Sequence, residues 1–431
     1  MTVHEEYLKT IKKFDKSWKV VHENRLPLLK EIMSWLENPD KQLKIIHIAG
    51  TNGKGSTGEM LNEVLIAQGY NVGHFSSPAV YTNREQILYN DEQITEADFL
   101  KYFQKIYKII QKHGKKLTDV SYFEWWTLVG LVYFADKKAD FVVLEVGLGG
   151  QQDATNVISN ALLTIFTKIS YDHQQILGDS LSKITAIKAD IIKKGATVIS
   201  YNGQLSEVKQ ILQAKATKVG ATWYAGKSPV ITTLSSAPTG TKVRINGEYE
   251  LFLGLAGQYQ VLNLNTALQA VDALRTLGYQ ISQRAIIQGL SVANLPGRME
   301  YDAKHNILRD AAHNPDGISA LLAAMHAWKL PFKPTVILGI LRDKNYLAMI
   351  EDLLPQVDRI IAVTPANPSR ALSADELAAQ ILEMDTNVEV AVADDPTAAI
   401  TLARQIRESS ETMIIITGSF YTLRAVKGIE F

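Results

Sequence analysis

The sequence predicts an α/β fold of two domains, each built on a parallel sheet, and three observations carry that expectation. Short runs rich in Ile and Val alternate with helix-like stretches along most of the chain. Strands that are apolar throughout, rather than alternating, belong to a sheet covered by helices on both faces. The 431 residues exceed what one ordinary core holds. The alternation also breaks at "VANLPGRMEYD", where Pro296 and Gly297 interrupt regular structure, and then starts afresh.

Taken in order, "LKIIHIAG", "YNVGHFSS", "DFVVLEVG", "ALLTIFTKIS" and "ATVISY" read as buried strands. "STGEMLNEVLIAQG" and "SLSKITAIKADIIKKG" read as helices between them. From about Trp223 to Leu255, turn residues and alternation indicate a small antiparallel insert, after which "QYQVLNLNTALQAVDALRTLG" returns to helix. Beyond the break come "HNILRDA", a helix through "ISALLAAMHAW", "PTVILGI", "DRIIAVTP", the helix "SADELAAQILEMD", "VEVAVA", a helix from Pro396, and "TMIIITGS". This second series reads as a smaller Rossmann-like domain without the cofactor fingerprint. The expected division is therefore 1–295 and 296–431, with no internal repeat or low-complexity tract.

Composition narrows the function classes. Lys+Arg and Asp+Glu both number 45, so the zero net charge supplies no electrostatic attraction to nucleic acid or an anionic membrane. With 46% hydrophobic and 21% charged residues, long disorder is not expected. Cysteine is absent, which excludes disulfides and thiolate metal sites and fits a reducing compartment. The opening "MTVHEEYLKTIKKFDK" is too charged for a signal peptide, and no apolar run is long enough to span a bilayer. A cytoplasmic protein is expected, holding any metal through oxygen or histidine.

The most informative stretch is "IAGTNGKGSTGEM", Ile48 to Met60. It follows a buried strand and opens a helix, beyond the carboxyl end of a parallel strand, where ligands bind. Glycines let backbone N–H groups turn toward an anion, a helix N-terminus favours negative charge, and a lysine reaches terminal phosphates. The usual ending is altered: Gly55 follows Lys54, and the hydroxyls come one place later, at Ser56 and Thr57. The plain alternative is a glycine-rich strand-to-helix turn.

Three further residues suggest metal chemistry. Glu145 stands among Val142, Val143, Leu144 and Val146 at a strand end, where an unpaired charge is expensive, so a cation or a structural ion pair is expected. The following "GLGGQQ" fails the dinucleotide pattern at Gln152. His173 in "ISYDHQQILG" is either a metal ligand or a loop histidine. On the helix from Leu181, positions 184, 187, 188 and 191 would share a face, placing Lys188 among Ile184, Ile187 and Ile191. Such a lysine either snorkels to solvent or loses its charge, and the residues alone favour snorkelling. A neutral amine could instead take up carbon dioxide as a carbamate, an anionic metal ligand.

"IHIAGTNGKGST", "SSP", "LEVGLGG..DATN", "DH", "IKADIIK", "LPGRME", "DAAHNPDG" and "ITGS", in that order over nearly the whole chain, resemble folylpolyglutamate synthase and the bifunctional dihydrofolate synthase/folylpolyglutamate synthase of the Mur ligase superfamily. The resemblance implies a P-loop ATP-binding domain followed by a Rossmann-like ligase domain. It implies that Gly50, Thr51, Asn52, Gly53, Lys54, Gly55, Ser56 and Thr57 hold ATP phosphates, and that Asn263 contacts adenine. Two magnesium ions are implied, one on Ser77 and Glu145, the other on Glu145, His173 and a carbamylated Lys188, and a monovalent cation such as potassium is admissible beside them. Arg298, Asp310 and His313 would close over the nucleotide from the second domain. Phe123 and Asp153 match pterin-pocket positions, and Ser419 a serine on the second domain's side of the cleft.

Departures from the family pattern bear on these roles. "IKADIIK" stands where members often read "HKAGIIK", so the lysine is kept but Ile187 and Asp190 differ. "NREQI" replaces "NERI", leaving Arg84 without a role, and "DAAHNP" replaces "DGAHNP". Gln151 replaces a common arginine, which would alter preference among pterin substrates. The implied reaction is ATP-dependent attachment of L-glutamate to folate or dihydropteroate through an acyl phosphate, by a monomer, with no nucleic acid or membrane partner. Lys54 and Arg298 suit the charge stabilisation this needs. Two rivals remain at this level: another Mur-type amide ligase acting on a peptidoglycan precursor, and a non-catalytic nucleotide-binding switch.

Overall fold

The computed structural model describes residues 2–15 and 24–426, with side chains over 2–13 and 24–426. The described chain packs into two compact units: Met1–Pro229 with Leu262–Leu290, and Val230–Val261 with Ser291–Phe431. This differs from the expected division at 295/296. The antiparallel insert precedes that break in sequence but packs with the C-terminal residues, so each unit is assembled from two chain segments.

The first unit holds eight strands: β1 (Ile45–Ala49), β2 (Val72–Phe75), β3 (Ile87–Tyr89), β4 (Glu92–Gln93), β5 (Phe141–Glu145), β6 (Leu163–Phe166), β7 (Thr197–Ser200) and β8 (Thr222–Trp223). Their spatial order is β4-β3-β2-β5-β1-β6-β7-β8. The six from β2 to β8 run parallel, and β3 and β4 add an antiparallel hairpin at one edge. The strands β1, β2, β5 and β6 are buried along their whole length, as their apolar runs require. The helices Glu96–Lys112 and Tyr122–Asp136 cover the sheet with an aromatic cluster, in which Phe99 lies 4.5 Å from Trp126 and Phe103 4.7 Å from Trp125. The helix Lys54–Ala67 is buried from Ser56 to Leu65 and packs on β2 and β5.

One helix is shorter than expected. Leu181–Ala189 ends before Ile191, so Ile191 lies in the turn beyond, yet Ile184, Ile187 and Ile191 still pack in one apolar cluster.

The second unit has two sheets. β9 (Ile231–Ala237), β10 (Gly240–Ile245) and β11 (Tyr249–Leu253) form the antiparallel meander expected of the insert. The other strands are β12 (Glu300–Asp302), β13 (Ile307–Arg309), β14 (Thr335–Leu338), β15 (Arg359–Ala362), β16 (Glu389–Val392) and β17 (Ile414–Thr417). They lie in the order β12-β13-β17-β14-β15-β16, parallel except for the β12–β13 pair. Among the described residues no helix is long and apolar enough to cross a membrane.

Candidate active site

Four neighbouring strands, β2, β5, β1 and β6, end on the same edge of the first sheet, and the loop leaving each one carries polar groups. Parallel pairing makes this inevitable: strands that run the same way release their loops at the same side. After β1 comes the loop Gly50–Gly53, after β2 Ser76 and Ser77, after β5 Gly147–Gly150, and after β6 the segment from Thr167 to His173.

The loop after β1 is fixed by its neighbours. The Thr51 N–H donates to the Lys168 carbonyl at 2.8 Å, and the Thr51 hydroxyl donates to the Ser170 carbonyl at 2.9 Å and accepts from the Ser170 N–H at 3.0 Å. Gly53 caps the helix Lys54–Ala67 with φ +89°, a left-handed conformation that a side chain resists. A Cβ there would also overlap the amide of Asn263, which is buried on the helix Gln258–Thr276. Asn263 therefore adjoins the loop after β1, within the same unit. Thr57 Oγ1 is buried without a hydrogen-bond partner among the described residues.

Glu145 ends β5 beside Ile48, buried as its apolar surroundings implied. Its carboxylate stands 3.7 Å from Lys54 Nζ, so the charge has a cationic neighbour on the loop itself. Lys54 Nζ also lies 3.4 Å from the Thr51 carbonyl. Ser77 is half-buried in the loop after β2, the strand next to β5.

Lys188 does not snorkel, contrary to the reading that the residues alone favour. It is 5% exposed, and its Nζ donates to the Gly50 carbonyl at 2.9 Å. The reason is the glycine loop after β5. Gly150 packs so closely on the helix end that a Cβ would lie 2.8 Å from the Ile187 carbonyl and 2.9 Å from Lys188 Cα. Gln151 N–H donates to the same Ile187 carbonyl at 2.9 Å, closing the side chain off from solvent. Burial, and then the nearby Lys54 charge, pull the Lys188 amine down to about 7, with Asp172 and Asp153 acting the other way. A neutral fraction at physiological pH is the form that carbamylation requires.

His173 begins the short helix Gln174–Leu177 with φ +48°, and its Nε2 lies 3.8 Å from Asp172 Oδ2. Asp153 uses its oxygens inside its own loop. It accepts from the Leu148 N–H at 2.8 Å, the Thr155 N–H at 2.9 Å and the Thr155 hydroxyl at 2.5 Å, and burial raises its pKa. Phe123, in the first turn of Tyr122–Asp136, packs where a side chain on Gly147 would go.

In the second unit, Arg298 lies 4.6 Å over the Phe420 ring, and the His313 ring is 5.6 Å from the same phenyl. Asp310 accepts from the Met299 N–H at 2.8 Å and the Ala312 N–H at 2.9 Å, bracing the turns that carry Arg298 and His313. Burial pushes Asp310 up and Arg298 pulls it back. Ser419 is buried and caps the helix Phe420–Arg424 through the Thr422 N–H.

Family comparisons match both units. Residues 48–271 match the Mur ligase middle domain, and residues 297–420 the Mur ligase glutamate ligase domain. Folylpolyglutamate synthase of Lacticaseibacillus casei is 32% identical over 410 residues, 91% of each chain. The chain belongs to the folylpolyglutamate synthase family. Dihydrofolate synthase/folylpolyglutamate synthase of Bacillus subtilis is 30% identical, covering 93% of each chain. Folylpolyglutamate synthase of Mycobacterium tuberculosis complexed with ADP superposes with a TM-score of 0.89 over 98% of both chains at 28% identity. A folylpolyglutamate synthase complex with AMPPCP and folate does so with 0.81 over 99% of both at 26% identity.

Within this folylpolyglutamate synthase fold, the expected residues gather as two groups. Gly50–Thr57, Glu145, Lys188 and Asn263 adjoin one another in the first unit, and Arg298, Asp310, His313 and Ser419 group in the second. Sequence reading missed Phe420, whose ring joins Arg298 to His313, and Asp172, whose charge reaches both His173 and Lys188. Asp172 stood inside the quoted "SYDHQQ", and its place beside a histidine was the available signal.

Proposed function

We propose that this chain adds L-glutamate to the γ-carboxyl of a reduced folate at the expense of ATP. The observation that carries the reading is the meeting of a glycine-rich loop, Lys54 and the buried Glu145 at one sheet edge, in a chain with a ligase relative over 91% of its length. A carboxylate is a poor acyl donor because its leaving group would be oxide. Its oxygen attacks the γ-phosphorus, the bond to the β,γ-bridging oxygen breaks, and ADP leaves. The amine of glutamate then attacks the acyl carbon, an amide forms, and phosphate departs with loss of the ammonium proton. The protein's part is alignment and charge stabilisation.

The loop Gly50–Thr57 would hold the phosphates, Lys54 would follow the charge moving to the bridging oxygen, and Asn263 would serve adenine. Arg298, Asp310 and His313 would serve the nucleotide from the second unit. The donors fit magnesium: Ser77 and Glu145 offer hard oxygens, and Glu145, His173 and a carbamylated Lys188 would complete a second site. Bound magnesium would neutralise the phosphate oxygens. Phe123 would pack on the pterin. Asp153 would shape that pocket by fixing Leu148, and Ser419 would do the corresponding work in the second unit. We place this activity in the cytoplasm, in a monomer.

Dihydropteroate is a second acceptor in this reading, favoured by the double name of the Bacillus subtilis relative. The test is ADP release with L-glutamate and either tetrahydrofolate or dihydropteroate, each product weighed for one added glutamate. No ADP with either acceptor overturns the reading.

A further inference from the structure

The reaction uses the N-terminal end of the helix Lys54–Ala67. Further along, the same helix carries two buried acids outside that machinery, Glu59 and Glu63. Asp91, exposed in the turn between β3 and β4, adds a third carboxylate, and one oxygen from each lies within 4.8 Å of the other two. Like charges so close oppose one another's ionisation. Burial, and then Asp91, push Glu63 up to about 7, while the Asn62 amide donates to it at 2.9 Å.

A second observation is independent of the acids. His74 on β2 is 1% exposed, and among the described residues neither ring nitrogen has a hydrogen-bond partner. Its Nδ1 points at Glu59 Oε2 from 3.6 Å. Burial pulls the imidazole down to about 4, so at neutral pH the ring is uncharged and this approach is not an ion pair. A buried polar group without a partner costs about 1–3 kcal/mol. Metal-ligating carboxylates are themselves held by outer hydrogen-bond donors, and an imidazole N–H behind Glu59 is a group of that kind.

We propose that Glu59, Glu63 and Asp91 bind one hard divalent cation, with His74 holding Glu59 from behind. The cation replaces mutual repulsion with shared attraction, and all-carboxylate donors select the magnesium, calcium and manganese class over softer metals. Asp91 at the surface provides the way in. The site shares no residue with Ser77, Glu145, His173 or Lys188, and it does not depend on the ligase reading.

The test uses the full chain, stripped with chelator and free of nucleotide, with Mn2+ binding followed by loss of the free-ion paramagnetic resonance signal. Glu145→Gln removes the shared ligand of the catalytic metals, so the remaining Mn2+ reports on the new site. We expect one Mn2+ per chain in Glu145→Gln, displaced by Ca2+. Adding Asp91→Asn, a surface change, weakens that binding at least tenfold and abolishes the rise in melting temperature that Mn2+ produces. No nucleotide-independent Mn2+ in Glu145→Gln, or undiminished binding after Asp91→Asn, overturns the proposal.

Discussion

At the N-terminal end of the helix Lys54–Ala67 the buried charges are of opposite sign, whereas further along they share one sign. Lys54 faces Glu145 at 3.7 Å, and Lys188 donates to the Gly50 carbonyl at 2.9 Å. There the burial of Glu145 is offset by Lys54, a group the fold already holds, while Lys188 sits on the Gly50 carbonyl with its amine lowered to about 7. Glu59, Glu63 and Asp91 face one another instead, with a neutral His74 behind them. The first place is preorganised, so its geometry stands before a substrate arrives. The second is relieved by a proton or by a cation, so its stability should follow the solution conditions.

The largest expected effect falls on the opposite-sign end. Lys54→Met and Glu145→Gln should each lower turnover on the order of 10³-fold, because the charge each supplies serves the transition state in a dry site. ADP release under saturating ATP checks this. If the pair were only structural, the double variant, which buries no unpaired charge, would recover turnover to within tenfold of the parent. Recovery of that kind would erase the contrast between the two ends.

Gly150→Ala comes next. The added methyl meets the backbone at Ile187 and Lys188, which cannot swing aside as a side chain can. We expect a loss of about 1–3 kcal/mol in stability from overpacking. We also expect at least a tenfold drop in turnover as Lys188 leaves the Gly50 carbonyl. Chemical denaturation and ADP release read the two parts separately. Unchanged turnover with reduced stability would remove Lys188 from the preorganised end.

The two ends differ also in how well the sequence announces them. "GTNGKGST" and the lone Glu145 in an apolar strand were legible because local rules constrain them: backbone needs at glycine, and the cost of an isolated charge. Parallel topology then placed the loops at one edge, as strand ends in such sheets require. The fate of Lys188 was not legible. It depended on Gly150, many residues away in sequence, sealing the helix end, and on that helix stopping at Ala189. The acid cluster was still less visible. Glu59 and Glu63 sit in an ordinary helical stretch, and Asp91 reaches them only because β2 and the β3–β4 hairpin fold back beside that helix. The antiparallel insert was correctly read as strands, but its packing with the C-terminal residues is a long-range fact that no local pattern encodes.

The same-sign end yields a smaller, pH-dependent effect. Glu63 faces Asp91, Asn62 and Glu59, with His74 beyond Glu59, and its carboxyl is raised to about 7. Between its ordinary value and about 7, the folded state keeps a proton that the unfolded chain releases, so stability falls as pH rises through that window. Above about 7 the penalty is fully present. Glu63→Gln should therefore stabilise the chelator-treated protein at pH 8, on the order of 1 kcal/mol after solvent screening, and lose that gain by pH 4. With Mn2+ present the sign reverses, since the variant gives up a ligand. Melting curves at the two pH values, with and without Mn2+, decide this. A variant no more stable than the parent in chelator would show that the three acids do not burden each other.

The smallest effect extends the comparison to the second unit, where a cation meets a ring face as well as the field of a buried acid. Arg298 rests over the face of Phe420, and Asp310 spends its oxygens on the Met299 and Ala312 N–H groups rather than on a clamp of the guanidinium. A ring face orients an arginine without neutralising it, which leaves its charge for an anionic ligand. A cation–π contact of this kind is worth about 0.5–1 kcal/mol. Phe420→Leu keeps the apolar bulk and removes the quadrupole, so the KM for ATP should rise about two- to fivefold, as expected from that energy, with kcat little changed. Phe420→Tyr retains the ring face and should restore the parent value. If leucine raised KM no more than tyrosine, Phe420 would be packing alone, and Arg298 would be oriented by Asp310, as Lys54 is by Glu145.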